Sequence, residues 1–522
     1  MTFGMRVSLW AREAPRSHVV TTCAIVLALF AGAVALAVPA SRHTLAAGPA
    51  LPGAQAAGGG DASTSAGGTA ADAATGADAA GGGVTAVGAN GVARATVAGS
   101  KVGASGGPSG STGAGGSTAG ATLKASDNGV TKDTIKVGFL NVQIGGFDAT
   151  GFALGFRQDL TDVEKALVDN ANKEGGVRGR KVIYVTANSD PLSETSMRAG
   201  CITMTDDQKV FAVFDQTATT GTALGCFPEK HTPNFTSNAG TVDSPFWQKA
   251  GGYLISGGST FDRGILDWAS LSIEDGLIGK GKGKLGILSD DCAPDPDVVD
   301  KVLKPSLTKS GVDYADVRLS CDAGTAQQQV SAAALTLRRA GVDRVLLLPL
   351  FTSAQSFVQD AEAQAWTPQY LVMDKQGLVL DATTQGFSPT AFDGARGTTY
   401  GHSGEDKAGV PHSAGVKRCN DIIVAAGLPP ITDQMGKDGL AVAACDAFFT
   451  WTQAMQFTPV NPTRADLVAA IPRVGNNPLS AFALKATFGP GKYQGGDAYA
   501  RVQWQGSCRC WVQIKPPVAA RF

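Results

Sequence analysis

A chain of 522 residues with 67 glycines and only 17% charged side chains is long enough for about three domains, yet too poor in charge and side-chain bulk to be folded throughout. Its net charge of -1 provides no general attraction to nucleic acid or anionic lipid, so no nucleic-acid partner is expected. Of nine cysteines, Cys23 lies in an apolar N-terminal run, and the remaining eight form an even set that suits disulfides in an exported protein.

The apolar run spans Val19 to Ala40, with Arg6, Arg12 and Arg16 before it and only Glu13 against them. This is the outline of an export signal. Its length is close to the roughly 20 residues that a membrane-spanning helix needs, so residues 1–47 read either as a cleaved signal or as a retained N-terminal membrane anchor. Small-residue cleavage triplets stand at Ala35-Leu36-Ala37 and Val38-Pro39-Ala40. Cys23 precedes most of the run, which does not suit lipid attachment, and it reads as an inert cysteine.

Residues Gly48 to Ala121 are almost all Ala, Gly, Ser, Thr and Val, without an aromatic residue. Such a composition buries too little apolar area to offset chain entropy, so residues 48–128 are expected to be a disordered linker. As a flexible coil it would span on the order of 50 Å. Gly103-Ala104-Ser105-Gly106-Gly107 matches the G-x-S-x-G pattern of hydrolases only formally, because no strand precedes it and no helix follows.

From about Thr131 the chain changes character. Short apolar runs at Ile135 to Leu140, Lys181 to Ala187, Val210 to Phe214, Asn234 to Thr236, Lys284 to Leu288, Ala315 to Leu319, Arg344 to Leu348 and Gln369 to Met373 read as parallel strands buried on both faces. Helical patterns lie between them, at Leu160 to Glu174, Leu192 to Thr205, Asp262 to Glu274, Asp297 to Lys309, Thr325 to Ala340 and Ser353 to Ala365. The repetition predicts a doubly wound α/β fold, and two such series within 129–522 predict two lobes.

The strand Ile135 to Leu140, the helix ending Asn170-Ala171-Asn172-Lys173-Glu174-Gly175-Gly176-Val177-Arg178-Gly179-Arg180-Lys181, the phrase Asn188-Ser189-Asp190-Pro191 and the loop Thr236-Ser237-Asn238-Ala239-Gly240-Thr241 follow in an order and spacing that carry a resemblance. From about residue 131 to 517 the chain resembles the type I periplasmic solute-binding proteins of ABC transporters, of the leucine/isoleucine/valine-binding class. The resemblance implies two doubly wound parallel-sheet lobes joined by a three-crossing hinge, with crossings near Ser256 to Phe261, Thr398 to Ser403 and Phe488 to Gly496. Lobe 1 would hold about 131–256 and 403–487, lobe 2 about 260–398 and 496–517.

Ligands of open α/β sheets sit beyond the carboxyl ends of the strands, where loops expose backbone amides and hydroxyls. On lobe 1 the expected contacts are Phe147 and Asp148, then Gln216, Thr217 and Thr219, then Ser237, Asn238, Ala239 and Thr241. On lobe 2 they are Phe351, Thr352, Asp374 and Gln376, with residues near Asp290 to Asp295 beside them. The resemblance assigns an acidic residue of lobe 2 to a ligand ammonium, and Asp374 stands in that region. Asp374 could serve, or the adjacent Lys375 could neutralise it, so an amide, an aromatic acid or a polyol stays open beside an amino acid.

Cys201 with Cys226, Cys292 with Cys321 and Cys419 with Cys445 are the expected disulfides, whereas Cys508 and Cys510 are too close for an ordinary bridge. The C-x-C with His402 or His412 lacks the paired spacing of a zinc site, and Gly279 to Lys284 leads into a strand-like run instead of the helix a phosphate loop opens. Phe448, Phe449, Trp451 and Phe457 are expected to pack in a core. No metal and no cofactor is expected, and no catalytic motif stands in the folded part. The functional expectation is a non-enzymatic receptor that closes on a small polar or amphipathic molecule outside the cytoplasm and presents it to a membrane permease. A tethered sensory receptor of the same fold and an exported α/β hydrolase are the alternatives.

Overall fold

The computed structural model describes residues 122–143, 155–216 and 220–522. The N-terminal apolar run, the Ala/Gly/Ser/Thr segment through residue 121, and the expected contacts Phe147, Asp148, Thr217 and Thr219 lie outside the described residues.

The first sheet holds β1 (Thr134–Val142), β2 (Lys181–Ser189), β3 (Val213–Asp215), β4 (Asn234–Thr236) and β5 (Leu254–Ile255) in the order β2-β1-β3-β4-β5. Every pairing in it is parallel. The intervening helices include α1 (Leu160–Lys173), α2 (Glu194–Ile202) and α3 (Gly221–Glu229), with a short helix at Ser244–Lys249 before β5. The second sheet holds β6 (Lys284–Asp290), β7 (Asp313–Leu319), β8 (Arg344–Leu347), β9 (Gln369–Met373), β10 (Arg396–Thr399), β11 (Ala498–Gln505) and β12 (Cys510–Ala519), ordered β12-β11-β10-β9-β8-β6-β7. In this sheet β6 to β10 run parallel, while β11 pairs antiparallel with both β10 and β12.

The doubly wound reading therefore holds for both lobes, and four strands escaped it. β5 is only Leu254–Ile255, and β10 is Arg-Gly-Thr-Thr without an apolar run. Arg501 interrupts β11, and β12 carries Lys515, Pro516 and Pro517. β5 and β12 are edge strands, where one side of the ladder is not needed and such residues are tolerated, whereas β10 and β11 are paired on both sides and the buried Arg501 is held by Glu274 and Asp275. The third strand lies at Val213–Asp215, later than the apolar run Val210 to Phe214 suggests.

Further along the chain, α4 (Phe351–Ala363) covers the second sheet, whereas α5 (Ala414–Ala425) and α6 (Gly439–Met455) return to the first. Phe139 on β1 and Phe214 on β3 have ring centroids 4.9 Å apart, and Phe214 meets Trp451 of α6 at 5.7 Å. Phe448, Phe449 and Trp451 are thus core residues. Phe457 is half-buried under the Arg473 guanidinium.

The passages between the lobes lie side by side. Leu484 N–H donates to Tyr400 O at 2.8 Å, Gly495 N–H to Ser256 O at 2.8 Å, and Gly496 N–H to Gly258 O at 2.9 Å. Cys201–Cys226, Cys292–Cys321 and Cys419–Cys445 are bonded, and so are Cys508 and Cys510. That last bridge corrects the sequence expectation. The turn between β11 and β12 places Arg509 at φ 52° and brings the two Cα atoms to 5.2 Å, inside the ordinary disulfide range.

At the amino ends of β1 and β2 the buried Arg180 guanidinium donates from Nε to Thr131 O (2.7 Å), from Nη1 to Val460 O (2.7 Å) and from Nη2 to Lys124 O (2.9 Å). Asn461 adds a bond from Nδ2 to Thr122 O at 3.1 Å and accepts from Lys124 N–H at 2.9 Å. The first described residues are clasped there, at the edge of the sheet opposite its carboxyl ends, so residues 122–128 belong to lobe 1, which corrects the expectation of a linker through residue 128. Among the described residues no helix is long and apolar enough to cross a membrane.

Candidate ligand-binding site

The carboxyl ends of the two sheets face each other across a cavity of about 150 Å³. On lobe 1, β3 ends at Asp215 and delivers Gln216, while β4 ends at Thr236 and delivers the turn 237–241. Within that turn Thr241 Oγ1 donates to Asn238 O at 2.7 Å and Asn238 N–H donates to Thr236 Oγ1 at 3.1 Å. These local bonds hold the turn in one conformation before any ligand arrives. On lobe 2 the cavity meets Leu350 and Phe351 at the start of α4, and the loop 374–380 after β9.

Of the expected contacts, Gln216, Ser237, Asn238, Thr241, Phe351, Asp374 and Gln376 line this cavity. Ala239 and Thr352 do not: both are buried within their own lobes, Ala239 in the core beneath β4 and Thr352 in the first turn of α4. Residues 290–295 do not reach the cavity either. Asp295 there binds Lys375 Nζ at 2.9 Å, and the same ammonium donates to Leu348 O at 2.6 Å and lies 5.0 Å from the centre of the Phe261 ring. Lys375 is consequently occupied inside lobe 2, which decides against the alternative in which it neutralises Asp374.

Asp374 has a different task from the one the resemblance suggests. Its Oδ2 accepts from the backbone N–H of Tyr400 and, at 3.4 Å, from that of Gly401, tying the loop after β9 to the second crossing. Burial pushes its carboxyl up to about 7, against the lowering effect of Thr399 and of those two amides. A group half-protonated near neutrality and already accepting from backbone is a poor counter-ion for an ammonium.

Two carboxamides in the cavity wall lack partners among the described residues. Gln216 is 6% exposed, and neither its Nε2 nor its Oε1 has a hydrogen-bond partner. Asn238 Nδ2 is in the same condition. A buried amide left unpaired costs about 1–3 kcal/mol, so both are poised to exchange that penalty for a bond to a bound molecule. The remaining lining is mainly apolar, with Phe156, Leu192, Val379, Leu380, Leu440 and Phe482 prominent and Tyr400 beside them. Sequence reasoning missed these residues. Only Leu378-Val379-Leu380 offered a signal, an apolar run directly after the loop at 374–377.

The lobes touch at this site. A Cβ on Gly240 would lie 2.6 Å from the backbone oxygen of Asp374, closer than two such atoms can approach.

With this geometry in view, the family model described as periplasmic binding protein matches residues 134–507. The chain belongs to the periplasmic binding protein family. Its solved relatives include a fatty acid ABC transporter substrate-binding protein from Thermomonospora curvata, with TM-score 0.56 and 16% identity, covering 76% of this chain and 95% of that one. A branched-chain amino acid ABC transporter protein from Thermus thermophilus with bound valine aligns with TM-score 0.55 and 15% identity, over 74% of this chain and 97% of that one. A solute-binding protein of an ABC transporter from R. palustris, in complex with 4-hydroxybenzoate, aligns with TM-score 0.54 and 16% identity, over 75% and 98%. No curated protein matches the sequence. Periplasmic binding proteins are receptors, not enzymes, and membership implies an extracytoplasmic location for this one.

Proposed function

We propose that this periplasmic binding protein captures a small solute with an apolar body and a neutral polar group, and presents it to an ABC-type permease. The observation that carries the reading is the unpartnered Gln216 carboxamide in the wall of a mainly apolar cavity between the lobes. Its donor and acceptor together suit an amide, a carboxylic acid or a hydroxyl, with Ser237, Asn238, Thr241, Phe351 and Gln376 around it. Relatives named for fatty acid, valine and 4-hydroxybenzoate all take solutes with an apolar portion. An ammonium group receives little support, because Asp374 is committed to the backbone of Tyr400 and Gly401. Residues 1–47 would carry the chain across the membrane or hold it there, and 48–121 would be the tether, ending where residues 122–128 are bonded to lobe 1.

The test is thermal unfolding of the full-length chain against amino acids, amides, aromatic and aliphatic acids, and polyols. A true ligand at about 100 times its Kd adds roughly 2.7 kcal/mol of stability. Gln216→Leu is expected to weaken that ligand about tenfold or more, through loss of one buried hydrogen-bonded pair. A folded protein that no member of the panel stabilises would sink the proposal for these classes.

A further inference from the structure

The Cys508–Cys510 bridge differs from the other three in the loop that it closes. Those have sequence separations of 25, 29 and 26, and this one has a separation of 2. Restriction of the unfolded chain grows with the logarithm of loop length, so this bridge stabilises the fold least. By the same linkage, folding does least to hold the bridge closed against reduction.

Its surroundings suit exchange. Cys508 is exposed while Cys510 is 3% exposed, so an incoming thiolate reaches Cys508 and displaces Cys510. Both line a cavity of about 300 Å³, together with Arg509 between them and with Lys407 and Lys437. Neighbouring cations favour a thiolate, and a thiol of lower pKa leaves faster. Asp381 lines the same cavity, and its Oδ1 accepts the N–H of Trp511, the residue after Cys510, at 2.6 Å. Burial pushes the Asp381 carboxyl up to about 7; the Trp511 N–H and Lys407 oppose the shift, and Asp433 and Asp406 add to it. A carboxyl of that kind has a proton to give near neutrality.

The remaining bridges lack this combination. Cys201–Cys226 and Cys419–Cys445 are fully buried. Cys292 and Cys321 are exposed, but Asp291 Oδ1 stands 3.3 Å from Cys321 Sγ, where its charge disfavours a thiolate.

We propose that Cys508–Cys510 is a thiol–disulfide exchange site whose substrate is a low-molecular-weight thiol entering the cavity beside it. The substrate thiolate bonds to Cys508 Sγ as the Cys508–Cys510 bond breaks. The electron pair of that bond leaves with Cys510 Sγ, which takes the proton of Asp381. A second substrate thiolate attacks the substrate sulfur of the mixed disulfide and releases Cys508. Two substrate thiols are thus oxidised to one disulfide, and the bridge gains two electrons and two protons, one through Asp381 and one from water. The family match ends at residue 507, before the bridge, and exchange and solute capture can each fail without the other.

The probe is reduced glutathione, applied in graded concentrations to the full-length chain, with quenching by N-ethylmaleimide and peptide mass spectrometry. Cys508 and Cys510 are expected to be alkylated at a concentration about tenfold or more below that which opens any other bridge, Cys292–Cys321 included, while circular dichroism reports a folded chain. At early times glutathione should be carried on Cys508 and not on Cys510. The rate divided by the thiolate fraction of glutathione should fall as pH rises from about 6 to about 8, because Asp381 loses its proton across that range. In Asp381→Asn that quotient should be about tenfold lower at pH 6 and flat with pH. Bridges that open together, or Cys292–Cys321 opening first, overturn the proposal, and so does an early adduct on Cys510. A quotient that falls equally in the folded variant overturns the proton step; if the variant does not fold, a flat quotient in the parent does so.

Discussion

Glu164 sits on α1 at 0% exposure with Asn141 of β1 beside it, and burial pushes its carboxyl up to about 8 from an ordinary 4.5, with Asn141 opposing the shift. A raised carboxyl means that the folded state holds a proton which the unfolded chain releases. Stability from this residue is therefore fully present below about pH 4.5 and is lost as pH rises toward 8. Glu164→Gln keeps the shape and removes the titration. Denaturant unfolding at both ends of that window should show a smaller fall in stability for the variant than for the parent; an unchanged fall would mean that another acid carries it. The residue scale is also where the sequence was least legible. Gln216, Asn238 and Asp374 could be placed near the cleft because strand ends are recognisable, but the opposite commitments of Asp374 and Lys375 could not. One binds the backbone of a crossing 26 residues away, and the other an aspartate 80 residues back. Neither distance leaves a mark in the local pattern.

Turns and strands were legible to the extent that their burial was simple. β1, β6, β8 and β9 show as apolar runs because they are buried inside their sheets, whereas β2 and β7 are edge strands with alternating exposure, which corrects the expectation that they are buried on both faces. The β11–β12 hairpin, with Arg501 in a strand paired on both sides and Lys515 and two prolines in the edge strand, shows no such run. The three disulfides joining neighbouring elements could be read from cysteine placement on those elements, whereas the Cys508–Cys510 bridge depends on a turn that was not recognised. The turn 239–241 also yields a prediction. Gly240 is pressed against the Asp374 backbone oxygen at the meeting of the lobes, and backbone cannot step aside cheaply. Gly240→Ala should leave the lobes folded, with a melting temperature close to the parent's without ligand. It should weaken ligand affinity by about tenfold, or roughly 1.4 kcal/mol, by propping the cleft open. Unaltered affinity would show that this contact is not part of the bound arrangement.

At the scale of the whole molecule, all four disulfides lie within one lobe or the other: Cys201–Cys226 and Cys419–Cys445 on elements of the first sheet and its helices, Cys292–Cys321 and Cys508–Cys510 on the second. Among the described residues none of them ties lobe to lobe. Sequence separations of 25, 29 and 26 residues imply roughly 3–4 kcal/mol each from restricting the unfolded chain. Cys201→Ser with Cys226→Ser should therefore lower stability to urea by roughly 3 kcal/mol. Ligand affinity at temperatures where the variant is folded should not change. A matching loss of affinity would show that the bridge shapes the cleft as well as the lobe.

The clasp of Arg180 and Asn461 on residues 122–124 has a mechanical side. Nine residues of β2 separate Arg180 from the sheet's carboxyl edge, a run of about 30 Å at ~3.3 Å per residue. Tension applied to the chain upstream of Thr122 would enter lobe 1 through a buried guanidinium at its back, shared between the start of β1 and the segment at Val460 and Asn461. A load on that end would act on lobe 1 at its back, far from the cavity between the lobes.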